Sequence, residues 1–281
     1  MKKSLLILTA FLLCISLSSC DKILGMAKSA VTGEEVSKPP EDFIATIEGE
    51  EFTYDLYKEY VKITAYVGED ADVEIPSEID DRPVRVIGAL CFNKTPVVNL
   101  VIPESVKLIE TSAFYYANAL KKIVIPDTVE TIETRAFGWC DSLEEVVIGK
   151  GISEIPDYCF NHCISLTSIT IPENITRIGI RAFSYCEKFD NVTIPKSVTA
   201  VGDLAFAVCP SLKSVVIQNN DAVLGKDLFS ESAQAVVISE MNSKPYEYCV
   251  ENNLFWANDI NSEPTRLGDS IDDNADVSVS D

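Results

Sequence analysis

The sequence predicts a repeat solenoid in which each rung adds one strand to a curved parallel sheet and returns through a short helical or 3₁₀ segment. Three observations predict it. Phenylalanine recurs every 23 residues, at Phe114, Phe137, Phe160, Phe183, Phe206 and Phe229. Isoleucine recurs at the same interval, at Ile102, Ile125, Ile148, Ile171, Ile194 and Ile217. Proline follows that isoleucine at Pro103, Pro126, Pro172 and Pro195. A fixed period of this size marks stacked supersecondary units, none of which can bury its apolar face alone.

Residues 166–188 show why each part of a rung forms. Ile169 and Ile171 alternate with Ser168 and Thr170, the pattern of a half-buried strand. Pro172 ends the strand because it has no N–H for the ladder. Ile175 and Ile178 then point inward, and Ala182, Phe183 and Cys186 follow at helical or 3₁₀ spacing. The same frame fits residues 97–119, 120–142, 143–165, 189–211 and 212–234. An earlier, ragged unit at 73–96 carries Ile75, Pro76, Ile87, Cys91 and Phe92 in the matching columns, with an insertion around residues 80–83. Gly149 and Gln218 stand where proline is expected, and Asp221 where an apolar residue is expected, so the last full rung should be looser. The phenylalanines should stack along the core.

The chain begins with a basic pair, Lys2 and Lys3, and a short apolar run over residues 5–17, the pattern of a signal peptide and too short to span a bilayer. Leu17-Ser18-Ser19-Cys20 resembles a bacterial lipobox, which implies cleavage before Cys20 and lipidation of that residue. Multiple acyl chains would make a stable anchor. The expected organisation is a signal peptide at 1–19, a lipidated cysteine and tether at 20–40, N-terminal strands and an irregular first rung at 41–96, the solenoid at 97–240, a helical cap at 241–256 and an acidic, disordered tail at 257–281.

The net charge is −21, and loss of Lys2 and Lys3 takes it to −23. Such a surface argues against nucleic acid or an anionic membrane as a direct ligand, leaving the lipid anchor as the membrane contact. Asp269, Asp272, Asp273 and Asp276 lack the spacing and turn glycine of a calcium loop. Of the nine cysteines, Cys140, Cys163, Cys186 and Cys209 form one inward column, preceded by Ala117. Cys91 and Cys159 fall in a column otherwise held by Ala113, Ala136, Ala182 and Ala205. They read as buried free thiols acting as small apolar residues. The alternative is adjacent-rung disulfides such as Cys163–Cys186, which need Cα atoms within about 7 Å.

Catalytic chemistry has little to build on. His162, the single histidine, forms C-x-x-H-C with Cys159 and Cys163, one ligand short of a structural zinc site. Buried columnar thiols do not make nucleophiles. There is no glycine-rich phosphate loop, and Glu144 and Glu145, adjacent on a strand, point to opposite faces or to solvent. No metal, cofactor or enzymatic activity is expected. Two columns are candidates for binding. Val101, Val124, Val147, Thr170, Thr193 and Val216 should face solvent together on the outer side of the sheet, flanked by Asn99, Lys122, Glu145, Ser168, Asn191 and Ser214. Tyr116, Trp139, His162 and Tyr185 form an aromatic column, either as packing between rungs or as contacts for protein or sugar.

The grammar L-x-x-I-x-I-P…V-x-x-I-x-x-x-A-F-x-x-C, carried by Leu143, Ile169, Ile171, Pro172, Ile178, Ala182, Phe183 and Cys186, is similar to the 23-residue leucine-rich repeat of BspA-like bacterial surface proteins. The resemblance covers about residues 60–256; residues 62–67 and 73–76 look like the family's opening strands and 246–256 like its C-terminal cap. It implies a solenoid of leucine-rich-repeat type, exposed on the cell surface or envelope, lipid-anchored and without activity of its own. Its expected partner is an unidentified protein, on a host or neighbouring-cell surface. A structural spacer of the cell envelope and a carbohydrate-binding surface protein are the alternatives.

Overall fold

In four of the rungs a proline turns the chain. The carbonyls of Pro103, Pro126, Pro172 and Pro195 accept from the amides of Val106, Val129, Ile175 and Val198 at 3.1–3.2 Å, closing a tight turn at the end of the strand. The computed structural model describes residues 40–232 and 234–266. The chain divides into two units, Met1–Phe43 and Ile44–Asp281. Of the first, only residues 40–43 are described, a turn in which Phe43 N donates to Pro40 O at 3.0 Å. The signal peptide and Cys20 lie outside the described residues, as does most of the tether.

The second unit is a solenoid with three hydrogen-bonded sides. One side is a parallel ladder of Asp72–Glu74, Asn99–Val101, Lys122–Val124 and Glu145–Val147. It thins to single bridges at Ser168 and Thr170, then resumes with Asn191–Ile194, Ser214–Ile217, Val236–Ile238 and Phe255–Ala257. We call this the first ladder. The second ladder runs in parallel through Val61–Tyr66, Arg82–Ile87, Leu108–Ile109 and Thr131–Ile132, and separately through Glu154–Ile155, Arg177–Ile178, Ala200–Val201 and Val223–Leu224.

The third side corrects one detail of the sequence reading. The return is turns rather than a helix or 3₁₀ segment. Two non-glycine residues four apart take left-handed φ angles of 51–64° in every rung: Ser112 and Tyr116, Arg135 and Trp139, Tyr158 and His162, Arg181 and Tyr185, Leu204 and Val208, Asp227 and Glu231. This conformation costs an L-residue roughly 1–2 kcal/mol. It is held by cross-rung bonds: Ser112 N to Thr134 O at 3.1 Å, Phe114 N to Ala136 O at 2.8 Å and Tyr116 N to Gly138 O at 3.1 Å, repeated through Leu204–Val208.

Between the sides lies one continuous core. Its spine is the phenylalanine column, extended back to Phe92. Successive ring centroids lie 4.9–6.1 Å apart, with planes within 17° of parallel. Both ends are covered. Phe52–Tyr57 pairs antiparallel with Val61–Tyr66 and brings Phe52 and Tyr66 onto Phe92. The insertion near residue 80 is a hairpin, Glu78–Ile79 against Arg82–Ile87, turned by Asp80 and Asp81 at φ 51° and 59°. At the other end the helix Lys244–Glu251 starts at Ser243, whose Oγ accepts from Tyr246 N at 3.2 Å, and buries Pro245 and Cys249. The last full rung adapts to Asp221: that side chain is exposed, and the neighbouring Ala222 takes the buried position.

The expected boundary between cap and tail moves. Phe255–Ala257 joins the first ladder, and Thr265–Arg266 pairs antiparallel with Phe255 and Trp256, so ordered strands occupy both ends of 257–266, a stretch assigned to the disordered tail. A run of polar residues gives no sign that its backbone will complete a sheet. Residues 267–281 lie outside the described residues.

Candidate binding surface

The outer face of the first ladder is two side chains wide, because the three-residue strands bury only their middle residue. Val101, Val124 and Val147 are 55, 46 and 44 % exposed. Thr170 and Thr193 are exposed and Val216 is half-buried. Pairing sets the six in one line, with Val124 opposite Val147, Val147 opposite Thr170 and Thr193 opposite Val216. Glu74 begins the line, and buried Ile238 and Ala257 end it. Beside it runs a polar line, in which Asn99 Nδ2 donates to Asp72 Oδ1 at 2.6 Å and Lys122 pairs with Glu145 at 2.8 Å. Above the thinned part of the ladder is an open groove of about 1060 Å³, lined by Val147, Ile148, Ile169 and Thr170 with Lys150 and Glu173 at its margin.

The aromatic column forms on the third side. Tyr116 and Trp139 are 5.2 Å apart, Trp139 and His162 stack at 3.5 Å, and His162 and Tyr185 follow at 5.8 Å. Each ring is carried by a residue with left-handed φ, at the same position of its rung. His162 Nδ1 lies 3.6 Å from Asp141 Oδ1, beyond hydrogen-bond distance. Among the described residues, no three or more His, Cys, Asp or Glu side chains are grouped to hold a metal. Cys159 and Cys163 are buried in the core, whereas His162 stacks in the aromatic column.

The cysteine column does more than fill space. Cys91, Cys140, Cys159, Cys163, Cys186, Cys209 and Cys249 are free and buried. The thiols of Cys140, Cys163, Cys186 and Cys209 donate to the carbonyls of Phe114, Phe137, Phe160 and Phe183, 26 residues earlier, at 3.1–3.3 Å. In the next rung Ser232 makes the same bond to Phe206 O at 2.8 Å and accepts from Cys209 N at 2.8 Å. Serine at the end of a cysteine column was the signal in the sequence that the position wants a donor. Burial pushes the Cys163 and Cys209 thiols up to about 12 and holds Cys140, Cys159 and Cys186 well above the ordinary thiol range.

Strand, proline turn and stacked phenylalanine define a leucine-rich-repeat solenoid. The BspA type Leucine rich repeat region matches over residues 85–187, 107–236 and 153–271. The chain belongs to this BspA-type leucine-rich-repeat family. Among solved structures it is similar to a leucine-rich-repeat protein of T. pallidum, with 27 % identity and a TM-score of 0.62 over 68 % of this chain and 91 % of that one. It also resembles a leucine-rich cell surface protein of Faecalibacterium prausnitzii, with 20 % identity and a TM-score of 0.44 over 71 % and 77 % of the two chains. A comparison with curated proteins finds no match.

Proposed function

We propose that the chain is a non-catalytic, lipid-anchored surface protein that binds a protein partner on the outer face of its first ladder. The line Val101, Val124, Val147, Thr170 and Thr193 carries the reading: five β-branched side chains exposed in register on a preformed face. Such a face loses little conformational freedom when a partner docks, so many shallow contacts can add to useful affinity. Membership of the BspA-type family supports the assignment. Anchoring rests on Cys20 and its lipobox-like context.

We read the aromatic column as packing between rungs. Carbohydrate stacks on ring faces, and here the rings of Trp139 and His162 cover each other at 3.5 Å. The test uses surface crosslinking of the chain to cells carrying the candidate partner. Val124→Asp and Thr170→Asp should abolish capture, while Val223→Asp, on the second ladder, should leave it intact. Equal capture by all three would reject the face. Loss of fatty-acid labelling in Cys20→Ser tests the anchor, and a glycan signal lost in Trp139→Ala would restore the carbohydrate reading.

A further inference from the structure

The second ladder breaks at one rung, the first thins there to the single bridge Val147–Thr170, and the third side does neither. On the second ladder, Glu110 N and Glu133 N reach Ile87 O and Ile109 O at 2.9 Å, and Gly179 N, Gly202 N and Gly225 N reach Ile155 O, Ile178 O and Val201 O at 2.8 Å. Pro156 occupies this column at the missing step. It has no N–H, so the equivalent bond to Ile132 O has no donor. Two neighbouring columns show the same gap. Glu130 N reaches Lys107 O at 2.9 Å and Thr176 N reaches Ser153 O at 2.8 Å, but among the described residues no bond joins Ser153 N to Glu130 O. On the first ladder Glu144 N reaches Lys121 O at 2.8 Å and Asp190 N reaches Thr167 O at 2.9 Å, but among the described residues none joins Thr167 N to Glu144 O.

The breaks flank the loop 148–153. Glu145–Val147 therefore belongs to the N-terminal part of one ladder, and Glu154–Ile155 to the C-terminal part of the other. The loop holds Gly149 and Gly151, whose backbone runs so close to the preceding turn that a Cβ would lie 2.4 Å from Pro126 O and 2.1 Å from Val129 O. On the third side the bonds continue across the same step: Arg135 N to Asp157 O at 3.1 Å, Phe137 N to Cys159 O at 3.0 Å and Trp139 N to Asn161 O at 2.8 Å.

We propose that the rung at 143–165 is a built-in joint. The rungs before and after it form two hydrogen-bonded blocks that part on the strand sides and pivot about the third side. In stacked repeats stability is a sum of nearest-neighbour terms, so the interface that lacks these second-ladder bonds and keeps one bridge, Val147 to Thr170, on the first is where the stack yields first. The open groove over Val147 and Thr170 sits on this joint, and its width follows the opening.

Native-state hydrogen exchange of the intact chain, resolved by mass spectrometry, tests the joint. The amides of 148–155 should exchange through a local opening with little dependence on urea, while those of Arg135, Phe137 and Trp139 exchange only with global unfolding. Pro156→Glu and Pro156→Gly each restore the donor. Glutamate holds this column at Glu133, where Oε2 also accepts from Thr111 N at 2.8 Å, and glycine holds it at Gly179. Either folded variant should slow exchange at 148–155 by roughly fivefold to tenfold, the effect of one recovered hydrogen bond. Exchange there as slow as at 199–202 in the native sequence would overturn the proposal. So would loss of protection at Arg135, Phe137 and Trp139 in the same opening, or a rate unchanged in both variants.

Discussion

Phe183 has no solvent exposure, and its ring lies 5.6 Å from Phe160, 5.4 Å from Phe206 and 5.5 Å from Phe189. Truncation to alanine leaves a cavity that rungs on both sides cannot fill, because each is fixed by its own ladder bonds. Core Phe→Ala changes cost about 3–5 kcal/mol, and each stacked pair contributes about 0.5–1.5 kcal/mol beyond area. With three pairs lost, Phe183→Ala should sit at the upper end, about 4–5 kcal/mol. Phe229 offers the internal control. It ends the column, is 5 % exposed and has one ring neighbour in it, Phe206 at 6.1 Å. Its truncation should cost at least about 1 kcal/mol less. Urea unfolding followed by circular dichroism measures both, with the slope compared so that changes in the denatured state are not taken for packing. Equal costs at the two positions, or a Phe183→Ala cost below about 1 kcal/mol, would refute the idea that the column is a mutually supporting spine.

Cys186→Ser should be less destabilising than Cys186→Ala, because a hydroxyl keeps the bond to Phe160 O that Ser232 makes to Phe206 O at 2.8 Å; thermal melts with alanine the more stable of the two would assign the column to apolar filling alone. Thiol burial also gives a pH dependence. A thiol raised from its ordinary 9.0 to about 12 in the fold stays neutral while its unfolded counterpart ionises. This stabilisation is therefore complete below pH 9.0 and lost as pH climbs toward about 12, seen as a falling unfolding midpoint over that window that cysteine-to-serine replacement at 163 reduces. At pH 8 a thiol reagent should label the native chain only as fast as it opens. Trp139→Gly should be more stable than Trp139→Ala by about 1 kcal/mol, since φ of 60° suits glycine; the reverse order in melts would mean the left-handed turn carries no strain.

Much of the fold was legible because the repeat writes it several times over. The alternation Ser168, Ile169, Thr170, Ile171 placed the outer face, and burial of Ile169 and Ile171 with exposure of Thr170 follows from the pleat. The thin spot in the ladder was half legible: Gly149 stood out as a departure, but Pro156 did not, since a proline matters there only through the carbonyl of Ile132 it fails to reach. The left-handed turns were hidden altogether, because Tyr116, Trp139, His162 and Tyr185 carry no preference for that conformation.

By itself the sequence determined the period, the inward columns of phenylalanine, isoleucine and cysteine, and hence a stack with exterior surface as its means of contact. These follow from burial, which depends on residue type and spacing. Only the tertiary structure decided which amides meet which carbonyls 22 to 24 residues away. Those pairings hold strained turns in place, give each columnar thiol an acceptor and thin the strand-side bonding at one rung. Burial is a property each residue brings to the chain, whereas a cross-rung bond exists only once two rungs lie side by side.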